Sequence, residues 1–172
     1  MNTELAKVME WYEVSLECQL VMQQLINKRP DIIPLESTLA TKELKETTDL
    51  LNKSIEELND LTIVSLVSIF EQTLLGHLKT FIQQQMNPTD HLTSQLTSYV
   101  IQQAERGKFT EIIDLFKPVI DADKIGLVKQ VYIYRNWVAH GKKATKTPPK
   151  IDPILAYERL AEFLMRIQIA EK

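Results

Sequence analysis

Between Leu61 and Gln85 apolar side chains recur so densely that a helix built from this stretch carries them around most of its circumference, among them Ile63, Val64, Leu66, Val67, Ile69, Phe70, Leu74 and Leu78. A helix of that kind needs other helices to cover it. The rest of the chain supplies them. Leu5, Met9, Tyr12 and Leu16 recur at helical steps, Cys18, Met22, Leu25 and Ile26 continue on a neighbouring stripe, and Arg29-Pro30 ends the segment. A second helix is expected to place Leu44, Leu51, Ile55 and Leu58 on one face and Lys42, Glu43, Lys45, Glu46, Lys53, Glu56 and Glu57 on the other, with Asn59-Asp60 capping the start of the Leu61–Gln85 helix.

Asn87-Pro88-Thr89-Asp90 reads as a break before a weaker helix from His91 to Glu105, and a short helix follows from Thr110 to Phe116. Asp121 or Asp123 can cap a helix running to Ala139, stopped by Gly141, and a last helix runs from Pro153 to about Ala170. No segment alternates with the two-residue period of a strand. The expected fold is all-α, one helical-bundle domain over residues 1–172 with a few additional short helices, since nothing in the chain reads as a domain linker.

Charge and cysteine content narrow the function classes. Lys+Arg 20 against Asp+Glu 23 gives a net charge of -3, so attraction to nucleic acid has to come from a local patch. Cys18 is the lone cysteine, which forms no internal disulfide and suits a reducing compartment. Glu4, Lys7, Glu10, Glu13 and Glu17 interrupt the first twenty residues, so no signal-peptide core is expected there, and Glu71 and Gln72 break the richest apolar run, so no membrane span is expected either. A cytoplasmic location follows as the expectation. His77 and His91 lack the carboxylate and histidine spacing of a metal site, and no Gly-rich phosphate loop occurs, so neither metal nor cofactor is expected.

The chemistry concentrates in Tyr134-Arg135-Asn136-Trp137-Val138-Ala139-His140-Gly141, at the end of the penultimate helix. An arginine fork grips phosphate oxygens bidentately, and a histidine titrates near neutral pH and can move a proton. On an ideal helix Arg135 and His140 point roughly 140° apart, whereas Asn136 and His140 lie one turn apart on the same face. Arginine and histidine therefore meet only if the helix ends early or a second copy completes the site. Arg135 also falls on an apolar stripe, where it needs an acceptor, and Glu71 is the carboxylate placed to serve.

This segment resembles the signature of the HEPN superfamily, an arginine followed after four to six residues by histidine, here with a spacing of four and with Asn136 as the polar residue after arginine. The helical order and the Ser68-Ile69-Phe70-Glu71 segment on an early hydrophobic helix are also similar to stand-alone bacterial members. The resemblance implies a metal-independent endoribonuclease, the toxin of a toxin–antitoxin pair or a phage-defence effector. Arg135, His140 and Asn136 would be catalytic, with Glu71 supporting them. Lys142, Lys143 and Lys146 would attract the RNA backbone. A homodimer is implied, with paired motifs lining one cleft, and a small nucleotidyltransferase is one possible antitoxin.

Each feature also has a plainer meaning. Arg135 and Glu71 can be a core ion pair, His140 a helix-end residue, the lysines a solvated loop, and Tyr134 and Trp137 packing or interface residues or a base-stacking platform. On that view the chain is a non-catalytic HEPN-type module for dimerisation and partner or nucleotide binding, or a structural helical adaptor.

Overall fold

The computed structural model describes residues 3–86, 90–143 and 147–170. Among them the elements are α1 (Thr3–Lys28), a 3-10 turn (Pro30–Ile32), α2 (Leu44–Met86), α3 (His91–Arg106), α4 (Phe109–Asp114), α5 (Ala122–Ala139) and α6 (Pro153–Ala170), with no strand. The protein is all-α. α2 is the central element and touches α1, α3, α5 and α6.

One expected boundary is absent. Asn59 and Asp60 do not cap a new helix but sit inside α2, a single rod of 43 residues and about 65 Å. Their side chains have tertiary partners instead: the Tyr12 hydroxyl donates to Asn59 Oδ1 at 2.8 Å, and the Tyr134 hydroxyl donates to Asp60 Oδ1 at 2.7 Å. With neither Gly nor Pro nearby, the helix-propensity cost of the two residues is a few tenths of a kcal/mol each, roughly, too small to break the rod. Of the expected break at 87–90 only Asp90 lies among the described residues; it caps α3 by accepting from the Thr93 backbone N–H at 2.9 Å.

α2 is buried along one side rather than all round. Ile63, Leu66, Val67, Phe70 and Leu74 are in the core, whereas Leu61 and Phe81 are exposed. By length and composition alone α2 is long and apolar enough to cross a membrane, with an 18-residue stretch of mean hydropathy 1.4, a test that the core helix of a bundle also passes. In the bundle the centre of that helix carries the aromatic core. Phe70 meets Phe109 and Phe163 edge-on at 5.8 and 5.5 Å, and Phe116 meets Phe163 at 5.6 Å. α5 contributes Ile125, Val128, Val131 and Tyr134, and α6 contributes Ala156, Leu160, Phe163, Leu164 and Ile167. This packing fixes α5 against α2 and so determines where its last turn lies.

Candidate functional site at the end of the fifth helix

α5 stops as its sequence requires. The Lys142 N–H bonds back to the Trp137 carbonyl and the Gly141 N–H to the Val138 carbonyl, both at 2.9 Å, with Gly141 at φ 71. These two bonds are a Schellman cap, and glycine takes the left-handed position at little cost. Lys142 is left-handed as well, at φ 59, and its side chain supplies a compensating anchor: Nζ lies 2.5 Å from Asp60 Oδ2 and 5.8 Å from the Trp137 ring centre. Asp60 therefore holds both Tyr134 and Lys142.

Arg135 reaches the opposite shoulder of α5. Its Nη2 lies 3.3 Å from Glu71 Oε2, its Nη1 donates to Asn136 Oδ1 at 3.0 Å, and its Cζ sits 5.9 Å from the Tyr132 ring centre. The pair with Glu71 thus forms as the sequence suggests. Both side chains keep a little over a fifth of their surface exposed, 23% and 22%, so the guanidinium is not sealed in the core. Glu71, Tyr132 and Asn136, its three neighbours, line a groove of about 690 Å³ together with Ser68, Gln72 and Lys108.

His140 is placed apart from this groove. It is the exposed C-cap of α5, its backbone N–H bonded to the Asn136 carbonyl at 3.0 Å, and it does not line the groove. Within one chain, then, Arg135, Asn136 and Glu71 are brought together and His140 is not. Lys142 is held by Asp60, Lys143 is exposed, and Lys146 lies outside the described residues. Tyr134 is buried with its hydroxyl on Asp60, and Trp137 packs against the core, so both are packing residues in the single chain.

Sequence reasoning missed Asp60, Tyr132 and Lys108. Asp60 had a legible signal: it precedes Glu71 by about three helical turns, so the two acids that bracket the apolar run 61–70 share one face of α2. Tyr132 and Lys108 had none, because only the docking of α4 against α5 brings them together.

Burial raises the pKa of Glu71 above its ordinary 4.5, and the attraction of Arg135 and the neighbouring Tyr132 hydroxyl offset that only in part. The folded state thus holds this proton more tightly than the unfolded chain. The resulting stability is fully present below pH 4.5 and is lost as pH rises through the raised value. Glu71→Gln should remove this contribution, so that melting temperature measured from pH 4 to 7, in steps of about half a unit, falls less steeply with rising pH than in the wild type. An unchanged slope would mean that Glu71 does not titrate in this range.

Among the described residues no group of three or more His, Cys, Asp or Glu side chains is placed to hold a metal ion. No family model, curated protein or solved structure matches the chain.

Proposed function

We propose that the chain is a HEPN-type, metal-independent endoribonuclease working as a homodimer, a cytoplasmic toxin of a toxin–antitoxin or phage-defence system. The observation that supports this most is the state of Arg135: a guanidinium kept partly exposed, oriented by Glu71 and Asn136, beside an open groove. In the proposed reaction the ribose 2′-oxygen attacks the adjacent phosphorus and the bond to the 5′-oxygen breaks. The products are a 2′,3′-cyclic phosphate and a 5′-hydroxyl. His140 takes the 2′-hydroxyl proton or delivers one to the leaving oxygen, Arg135 neutralises charge on the phosphate, and Asn136 orients phosphate or imidazole. Lys143 and Lys146 attract the RNA backbone, joined by Lys142 where it exchanges Asp60 for phosphate. A small nucleotidyltransferase is the kind of partner that would hold such a toxin in check.

Because His140 sits apart from Arg135 in one chain, the reading requires a second copy, with the α5 ends facing each other across a two-fold axis. Subunit mixing tests this. Arg135→Ala and His140→Ala protein, each inactive alone, should regain activity on exchange, up to about a quarter of wild type, since half of the dimers are mixed and each holds one intact arginine–histidine combination of two. No recovery after verified exchange would remove the composite site.

The separation of Arg135 from His140 also favours a second reading, a non-catalytic HEPN-type module that dimerises and binds a partner or nucleotide. Absence of RNA cleavage by a verified dimer would put that reading first.

A further inference from the structure

α1 carries two apolar stripes with opposite fates. Leu5, Met9, Tyr12 and Ile26 are buried against the bundle. Trp11, Val14, Cys18, Val21 and Leu25 recur at alternating steps of three and four, and every one is exposed, Val14 at 62% and Trp11 at 52%. Single exposed apolar residues are ordinary, but a continuous line of them marks an interaction surface. The alternation is that of a coiled-coil seam, in which the line stays on one side of the helix and packs against an equivalent line.

The geometry points to a second copy of this chain as the occupant, its α1 lying antiparallel to the first across a two-fold axis that passes between Cys18 and Val21. Self-complementarity carries the choice. In that register Val14 meets Leu25 of the other copy, Cys18 meets Val21, and Trp11 meets Lys28, the next residue of the same repeat. Lys28 then lays its stem on the indole and its ammonium beside Glu10 of the other copy. A parallel pair would instead set Lys28 against Lys28 in the seam, where the two ammonium groups repel. Glu10 beside the start of the seam and Lys28 at its end therefore select both the partner and its direction.

The seam from Trp11 to Lys28 is about 26 Å long, so this is a small interface, and association should depend on concentration in the micromolar range. It uses none of Arg135, Asn136, His140 or Glu71, and it stands or falls independently of the ribonuclease reading. With the α5 ends also paired, two kinds of two-fold contact would build an even-numbered assembly.

The test is sedimentation of the full chain over a range of concentrations, together with crosslinking of the native Cys18 by a short bismaleimide. Wild type should give a crosslinked pair. Val14→Glu with Val21→Glu, both at exposed positions, should abolish crosslinking and halve the sedimenting mass while leaving the helical circular dichroism unchanged. Lys28→Glu should weaken the association about tenfold, and adding Glu10→Lys should restore it, a rescue that only the antiparallel register allows. Equal mass and equal crosslinking in wild type and the Val14/Val21 variant would overturn the seam as an interface between copies. Failure of the charge reversal to rescue would overturn its direction.

Discussion

Single-stranded RNA incubated with the purified protein in excess chelator is expected to be cut, leaving 2′,3′-cyclic phosphate and 5′-hydroxyl ends. His140→Ala should slow the reaction by about 10²–10⁴, the contribution of a positioned general acid or base. Arg135→Ala should slow it by about 10²–10³, the cost of removing one preorganised donor to a developing oxyanion. Arg135→Lys should not restore the rate, because an ammonium cannot make the bidentate contact of a guanidinium and cannot hold Glu71 and Asn136 together as Arg135 does. DNA should resist, since it lacks the attacking hydroxyl. End-group analysis by mass spectrometry separates this chemistry from attack by water, which would leave no cyclic phosphate. Loss of cleavage on chelation, or full activity in both alanine variants, would sink the mechanism.

The largest effect on stability is expected at Asp60. This carboxylate is nearly buried, at 6% residue exposure, and accepts from the Tyr134 hydroxyl while facing the Lys142 ammonium. Asp60→Ala leaves the buried Tyr134 hydroxyl without its acceptor and releases the left-handed Lys142 turn that closes α5. The cost should be about 2–3 kcal/mol, most of it from the unsatisfied hydroxyl, because Lys142 is half-exposed and water can take over its charge. In a protein of this size that lowers the melting temperature by roughly 5–10 °C. Asp60→Asn keeps an acceptor for Tyr134 and should cost roughly half as much, and Lys142→Ala less than about 1 kcal/mol. Chemical denaturation of the three variants orders them. If Lys142→Ala proves as damaging as Asp60→Ala, the charge pair and not the tyrosine bond holds the end of α5.

The burial of Tyr134, with Asp60 beside it, raises the phenol's pKa well above its ordinary 10.0. Its hydroxyl therefore remains a donor across the whole range in which an imidazole titrates.

How much of this was legible beforehand divides along a physical line. Helix type was legible because apolar spacing is local: the three- and four-residue steps of Leu5, Met9 and Tyr12 need no knowledge of the rest of the chain. The Gly141 stop was legible for the same reason, since left-handed backbone selects glycine wherever it occurs. The Arg135–Glu71 pair was legible through desolvation: a guanidinium and a carboxylate, each on an apolar face, are costly apart.

The sequence by itself therefore determined an all-helical chain, the place where α5 ends and the need of Arg135 for a carboxylate. Tertiary structure alone decided that α2 runs unbroken through Asn59 and Asp60, because a residue able to cap a helix remains inside one when distant hydroxyls, here those of Tyr12 and Tyr134, occupy its side chain. It also decided which stripe of α1 is covered: Leu5, Met9 and Tyr12 face the bundle while Trp11, Val14 and Val21 are left outside, although both lines are apolar and helically spaced. Periodicity says that a face is fit for burial, but only the position of the neighbouring helices says which face is buried, and that position is set by packing among residues far apart in the chain.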